Sequence, residues 1–327
     1  MGRVVLVTGV ARDLGARLAS TLCDDPAIDK VVGIDVFPPQ HDLGRVKFVR
    51  ADIRTPVVGK VLAVEDIDTV VHMNVAAPER GLAGRGAAKE LNVIGTMQLL
   101  AACQAAPAVD KLVLQSSTAV YGSSPRDPAM FTESMAARGG VRSGFPKDAV
   151  EVEGYVRGLG RRRPDIVLSI LRVGDVLSPY ISSPFGQYFS LPVLPSVLGY
   201  DPRLQFVHEE DVLNVLRRAT TTDRPGVFNV TGPEVVTLSQ AARRLAKPLL
   251  RLPSVGFTSA ATRLVRAMGA RYTVELTRLL TYGRVVDTTA LGDDFGYEMR
   301  HTTGRTLDEF VELASPGALS ALGVHHG

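Results

Sequence analysis

The sequence predicts an α/β protein: a Rossmann-type doubly wound parallel sheet with a smaller, mainly helical C-terminal lobe. Three observations lead there. Short apolar runs alternate with helix-period segments through the first half of the chain. The first run ends in a glycine-bearing turn that opens directly into a helix. After about Pro179 the texture changes, first to proline and aromatic residues and then to Arg-rich helical segments. Strand–helix alternation of this kind builds a parallel sheet covered on both faces.

The apolar runs lie at 4–7, 31–35, 46–49, 69–72, 112–115 and 166–171. Strands buried on both faces read as continuous apolar stretches, because neither side meets water. Between the first two runs, Leu14, Leu18 and Leu22 recur at four-residue spacing and mark one face of a helix over 13–23. Further helices are expected near 87–105 and 148–159. Strand, helix and strand resume at 204–208, 209–219 and 227–230. Between them, 182–203 combines prolines with Phe185, Tyr188, Phe189 and Tyr200 and almost no charge. A linker would be polar, so this segment is expected to be a loop-rich cover over a site.

The whole-chain numbers exclude several classes. The 327 residues are 45% hydrophobic and 22% charged, enough for a packed core and against wholesale disorder. A net charge of +3, from 37 basic and 34 acidic side chains, argues against a nucleic-acid platform. Cys23 and Cys103 fit neither a disulfide framework nor a thiolate metal site, and His325 and His326 read as part of a frayed tail rather than as metal ligands, so no metal is expected. No apolar run approaches the roughly 18 residues of a membrane span. A strand begins at Arg3 where a signal peptide would need its apolar stretch, so a cytoplasmic protein is expected.

The first strand ends in Val7-Thr8-Gly9-Val10-Ala11-Arg12-Asp13-Leu14-Gly15. A dinucleotide pyrophosphate needs a tight turn, close backbone approach and the positive end of a helix. Gly9 and Gly15 supply the turn and the helix–strand contact. Arg12 takes the place of the usual middle glycine, where its guanidinium is able to reach a phosphate. Asp35 closes the second strand, 26 residues after Gly9. A carboxylate there accepts from both hydroxyls of an adenosine ribose and repels a 2′-phosphate, which favours NAD over NADP. These readings set a NAD-binding domain over 1–178, to which 204–232 and about 283–290 return. Residues 179–203, 233–282 and 291–316 then form a substrate lobe, and 317–327 a tail.

With those residues in place, the chain resembles the extended short-chain dehydrogenase/reductase family, in particular its NAD-dependent sugar-nucleotide epimerase/dehydratase branch. Thr8-Gly9 through Gly15 matches the TGxxGxxG loop except at Arg12. Asp52-Ile53 resembles the adenine-contacting pair. Val70 to Ala77, with Asn74 and Ala76, is similar to the fourth-strand motif beside the cofactor. Leu91-Asn92-Val93-Ile94-Gly95-Thr96 resembles NVxGT, and Ser116-Ser117-Thr118-Ala119-Val120-Tyr121-Gly122 resembles SSxxVYG. Phe206 to Val212 and Phe228 to Gly232 follow in order. The resemblance implies NAD bound by Gly9, Arg12, Asp13, Leu14, Gly15, Asp35, Asp52, Ile53, Asn74, Ala76, Asn92 and Lys147.

The family transfers hydride with a Ser/Thr, a Tyr and a Lys in YxxxK. By that resemblance Ser117 is the Ser/Thr and Lys147, followed by Glu151, is the Lys that binds the nicotinamide ribose. Ser143 falls at the Tyr position. A serine hydroxyl is far less acidic than a phenol, so Lys147 does not make it a base near neutral pH. Pro146 suits a helix's first turn, which places Ser143 before the helix. Lys147 itself becomes an acid or base if burial lowers its pKa. Tyr155 lies two helical turns past Lys147 and Tyr121 occupies a position that is already Tyr in the family, so neither replaces the phenol.

At the substrate end, the resemblance and the composition together nominate Thr118, Arg172, Asp175, Arg203 and Tyr188 as contacts. Leu171 to Pro179 resembles LRxxNVYGP, with Asp175 in place of an Asn that would touch a sugar-nucleotide pyrophosphate. Leu204 takes the place of an Arg, with Arg203 one residue off. Three functions follow: turnover of a sugar nucleotide or related small molecule, turnover of a hydrophobic hydroxysteroid- or polyketide-like alcohol, or dinucleotide sensing without turnover. The expected partner is a small molecule, with no nucleic acid and no membrane, and edge helices of such a sheet offer a face for a homodimer.

Overall fold

The computed structural model describes residues 2–40, 42–73, 84–136, 141, 143–267 and 273–314. The early apolar runs fold as β1 (Arg3–Thr8), β2 (Ile28–Asp35), β3 (Lys47–Arg50), β4 (Thr69–His72), β5 (Lys111–Ser117) and β6 (Val167–Val173). Later strands are β7 (Asp175–Val176), β8 (Leu194–Val197), β9 (Arg203–Leu204), β10 (Phe206–Val207), β11 (Gly226–Val230), β12 (Val236–Thr237) and β13 (Leu249–Leu252). Seven of them form one parallel sheet in the order β3-β2-β1-β4-β5-β6-β11. The chain winds outward from β1 in one direction and returns to start again at β4, so β1 and β4 flank the switch point. In sheets of this type ligands bind in the crevice at that point, beyond the carboxyl ends of the strands.

Helices α1 (Asp13–Cys23), α2 (Val57–Val64), α3 (Gly84–Lys89), α4 (Gly95–Ala105), α5 (Gly144–Arg162), α6 (Pro184–Phe189) and α7 (Glu209–Thr221) alternate with the strands. α8 (Leu238–Arg244), α9 (Phe257–Ala267), α10 (Val274–Tyr282), α11 (Thr289–Asp293) and α12 (Thr303–Ala314) complete the chain. Side chains of a strand alternate between the sheet's faces, and β1 feeds a separate core with each. Val5 and Val7 pack with Leu18 and Leu22 of α1 and with Val212, Val215 and Leu216 of α7. Leu6 packs on the other face with Leu99 of α4 and with Val152 and Val156 of α5.

Three expectations change. The helix expected at 87–105 begins earlier, at Gly84, and passes through a π-helical turn at Glu90–Ile94 before α4. The helix expected at 148–159 runs from Gly144 to Arg162, with Ser143 as its N-cap residue and Pro146 in its first turn. The segment expected as a loose cover is ordered: α6 starts at Ser183, whose side chain accepts from Gly186 N, and β8 pairs in parallel with β13. Three of its four aromatics turn inward, where Phe185, Tyr188 and Phe189 pack with Phe206 and Phe310 in a lobe core, and Tyr200 stays exposed. Proline and low charge here reflect burial.

Candidate active site and cofactor crevice

Gly9 leaves β1 with φ 81, in the left-handed region that glycine adopts without strain. Its N–H donates to Ile34 O (3.1 Å) and its carbonyl accepts from Arg12 N (3.2 Å), closing the turn. A β-carbon on Gly15 would lie 2.2 Å from that same carbonyl oxygen, so α1 approaches β1 as closely as only glycine allows. Arg12 is the N-cap residue and gives the first turn no side-chain acceptor. The helix's positive end therefore faces the crevice, where Leu14 is buried and Asp13 opens the first turn. Asp35 is fixed beside this loop: Oδ2 accepts from Ala11 N (3.1 Å), and Oδ1 from Val36 N (2.7 Å) and Phe37 N (3.3 Å).

Asp52 and Ile53 sit further along. Arg54 donates to Asp52 through Nε (3.0 Å) and Nη2 (2.6 Å), and these bonds lower the carboxyl's pKa against the opposing effect of burial. Ile53 is buried, with its side chain against Gly95. Asn74 and Ala76 lie outside the described residues. Asn92 is buried in the π-helical turn, and its carbonyl accepts from Thr96 Oγ1 (2.5 Å). Such turns recur at functional sites because they re-aim side chains within a helix.

At the end of β5, Ser117 Oγ accepts from Ala119 N (3.1 Å) and opens the 3-10 turn Thr118–Tyr121, which α5 packs against. Lys147, in the first two turns of α5, lies 3.6 Å from Glu151 and is 45% exposed. Ser143 is exposed at the head of that helix. From the lobe, Glu275 of α10 reaches the same place, with Oε1 1.9 Å from where a β-carbon on Gly144 would stand. Ser117 and the Lys147 helix are thus brought together, and a carboxylate from α10 meets the head of that helix at Gly144.

A small polar cavity adjoins Ser117, lined by Thr118, Gly174, Asp175, Gln205, Thr231, Arg284 and Val286. Arg284 Nη2 donates to Asp175 Oδ2 at 3.2 Å. Burial raises the Asp175 pKa, and Arg284 opposes the rise. Thr231 Oγ1 is buried with no hydrogen-bond partner among the described residues. A ligand hydroxyl or water in this cavity would meet donors and an acceptor on several sides.

The other nominated contacts lie elsewhere. Arg172 is held inside the protein by Glu153 (Nε to Oε1 2.9 Å, Nη2 to Oε2 2.8 Å), and it donates to the Tyr121 hydroxyl (2.7 Å). Tyr121 in turn donates to Asn229 Oδ1 (2.8 Å), and burial raises its pKa, so it is no base. Tyr188 belongs to the lobe core, where its hydroxyl donates to Pro195 O (2.9 Å). Arg203 is exposed and donates to Ala129 O (2.7 Å). Gln205, Thr231, Arg284 and Glu275 are not named as contacts from the sequence. Thr231 lies in the Phe228–Gly232 segment, while Gln205, Arg284 and Glu275 lie in no diagnostic spacing, and each reaches the site from a different element.

Outside the crevice, His208 and His301 stack with ring centroids 4.0 Å apart, near Glu309. His208 Nδ1 accepts from Glu210 N (3.2 Å), and His301 Nδ1 lies 2.9 Å from Asp211 Oδ2. Both rings fasten α7 to the segment before α12. No helix among the described residues is long and apolar enough to cross a membrane.

Comparison with known proteins agrees with this fold. An uncharacterized protein of Mycobacterium tuberculosis is 44% identical over 318 residues, covering 94% of this chain and 83% of that protein. A Mycobacterium bovis protein, also uncharacterized, matches to the same extent. Among solved structures, a dTDP-glucose 4,6-dehydratase from Bacillus anthracis in complex with NAD superposes with a TM-score of 0.72. It is 17% identical, with 97% of this chain and 98% of that one covered. A UDP-glucose 4-epimerase from Thermotoga maritima with UDP-glucose gives a TM-score of 0.71 at 16% identity, covering 94% and 97%. At these identities the likeness establishes the fold. Residues 5–231 match the NAD dependent epimerase/dehydratase family itself, and the chain belongs to that family, whose cofactor is NAD.

Proposed function

We propose that the protein is an NAD-dependent enzyme that acts on a hydroxyl or keto carbon of a sugar nucleotide or a related polar small molecule. One observation carries this reading: the glycine loop, Ser117 with the Lys147 helix, and the polar Thr118–Asp175–Arg284 cavity all open at the carboxyl ends of one sheet. The residues present fit NAD. The Gly9–Gly15 contact leaves room for close backbone approach, and Asp35 is fixed where it can accept from a ribose hydroxyl. Lys147 would hold the nicotinamide ribose. When bound, NAD supplies a hydride acceptor or donor.

The chain's own residues do the rest. Ser117 Oγ donates to the substrate oxygen and steadies the charge that gathers on it. The Lys147 ammonium adds a positive charge on the same side. Thr118, Gln205, Thr231 and Arg284 anchor the remainder of the substrate through its own hydroxyls. With Ser143 at the head of α5, the proton on the reacting oxygen passes to the water that the exposure of Lys147 admits, while the ammonium stays charged. The polar cavity and the inward-turned aromatics favour this class over a hydroxysteroid-like alcohol.

The test is conversion of a panel of UDP- and dTDP-hexoses by the NAD-loaded protein, read by product chromatography alongside NADH absorbance because an epimerase or dehydratase returns its hydride, followed by Lys147→Ala and Ser117→Ala. Turnover lost in both variants, with NAD still bound, is the expected result. Turnover unchanged in Lys147→Ala overturns the catalytic assignment. A second reading, dinucleotide binding without turnover, is favoured by one observation: Lys147 is paired with Glu151, and Ser143 stands at the head of its helix. NAD binding without conversion of any hydroxylated substrate would establish it instead.

A further inference from the structure

Arg12 is this chain's own departure from the glycine loop, and its surroundings are unusual. Its backbone caps α1, while its Nη1 is buried with no hydrogen-bond partner among the described residues. Its backbone N–H donates to Gly9 O at the end of β1, beside the switch point, and its charge lowers the pKa of His72 at the end of β4. As N-cap residue of the helix that leaves β1, Arg12 stands at the β1–β4 crevice, where a dinucleotide's diphosphate crosses the sheet edge. A guanidinium has five donors and no means of shedding its charge. The Arg12 Nη1, out of water and without a partner among the described residues, is a standing cost that folding alone does not reward. A side chain whose only role was to fill the crevice would have its donors satisfied by the protein.

We propose that Arg12 is the diphosphate-binding residue of this site, so that a half-buried cation takes over part of the work done elsewhere by close backbone approach to the middle glycine. The proposal rests on the reading that the crevice binds NAD, and goes beyond it. Arg12 makes dinucleotide recognition depend on phosphate charge. Adenosine without phosphates gains nothing from it. The ligand-free protein bears the unpartnered Nη1 and is less stable for it.

Titration by NADH fluorescence, with ADP-ribose and adenosine as competitors, reads these differences in wild type, Arg12→Gly and Arg12→Lys. Arg12→Gly should weaken ADP-ribose and NADH by about tenfold to a hundredfold, the worth of a charge-assisted bond, and leave adenosine unchanged. Its dependence on ionic strength should flatten relative to wild type. Arg12→Lys should retain part of the affinity and the full salt dependence. In melting curves, ligand-free Arg12→Gly should melt at or above wild type but gain less from added ADP-ribose. ADP-ribose binding unchanged or tightened in Arg12→Gly overturns the proposal, since the side chain would then be an obstruction. Should Arg12→Gly fail to fold, equal loss of adenosine and ADP-ribose in Arg12→Lys overturns it, and selective loss of ADP-ribose supports it. Wild-type protein that binds neither NADH nor ADP-ribose would sink the cofactor reading itself, a different failure.

Discussion

Thr8 and His72 are joined by a 2.8 Å hydrogen bond across the seam between β1 and β4. The bond belongs to a chain with one consistent direction. Met73 N donates to Thr8 Oγ1 (3.1 Å), Thr8 donates to His72 Nδ1, His72 Nε2 donates to Thr96 Oγ1 (2.8 Å), and Thr96 donates to the Asn92 carbonyl. Every member is satisfied only with a neutral imidazole protonated on Nε2. The chain ties the switch-point strands to the π-helical turn.

His72 carries a pH dependence with a definite sign. Burial first, and the Arg12 charge second, push its pKa down to about 3 from 6.5. Above 6.5 the imidazole is neutral in both folded and unfolded states and has no effect. As pH falls below 6.5 the unfolded chain takes up a proton that the native state refuses, and stability declines by about 1.4 kcal/mol per unit until the native pKa is reached. Urea denaturation should show wild type losing about 2 kcal/mol between pH 6.5 and 5 that His72→Gln does not lose. Parallel losses in both proteins would remove His72 as the cause.

Glu153 binds Arg172 through both oxygens, and also accepts from Ser116 Oγ (2.7 Å) and Arg157 Nη2 (2.8 Å). Glu153→Ala leaves a buried guanidinium without its counter-charge, at a cost of about 3–5 kcal/mol. Equilibrium denaturation should register that loss. A change under about 1 kcal/mol would mean that Tyr121 and the Glu133 carbonyl suffice for Arg172.

Gly15→Ala places a methyl 2.2 Å from the Gly9 carbonyl oxygen. Backbone must move, and overpacking of this kind costs about 1–3 kcal/mol. The variant should melt lower than wild type and bind NADH more weakly, because the loop and the head of α1 are displaced together. A loop variant with normal NADH affinity would place the cofactor elsewhere.

Arg284→Met strips Asp175 of its partner while keeping most of the side chain's volume. The Asp175 side chain is 26% exposed and that of Arg284 9%, so the penalty is smaller than for a fully buried pair, about 2 kcal/mol. Because burial already raises the Asp175 pKa, the deprived carboxyl should titrate still higher. A substrate anchored by this pair should show a raised KM. An unchanged KM in a well-folded Arg284→Met protein would move the substrate away from the cavity.

The elements that set the fold were legible because their signals are local. Buried strands, the Gly9–Gly15 loop and the Ser117 turn each announce themselves within a few neighbouring residues. What escaped depends on distant partners. Arg172 resembles a ligand-binding residue until Glu153 and Tyr121 are folded around it, and Tyr188 resembles a lining residue until Pro195 takes its hydroxyl. Arg284 carries no pattern at all, and finds Asp175 only through the path of the chain after α10. The π-helical turn is equally silent in sequence, since an inserted residue leaves the apolar periodicity on either side nearly intact.

The order in which the strands are threaded bears on how the protein can be taken apart. β11 joins the sheet beside β6 only after the chain has left it to make α6 and β8, and β8 then waits for β13. A proteolytic nick between β8 and β9 would therefore release neither half as a self-sufficient piece. The leading fragment would keep six sheet strands but lack the seventh, and would carry β8 with nothing to pair it. During synthesis the same threading leaves β6 as an open edge until the first part of the lobe has emerged from the ribosome.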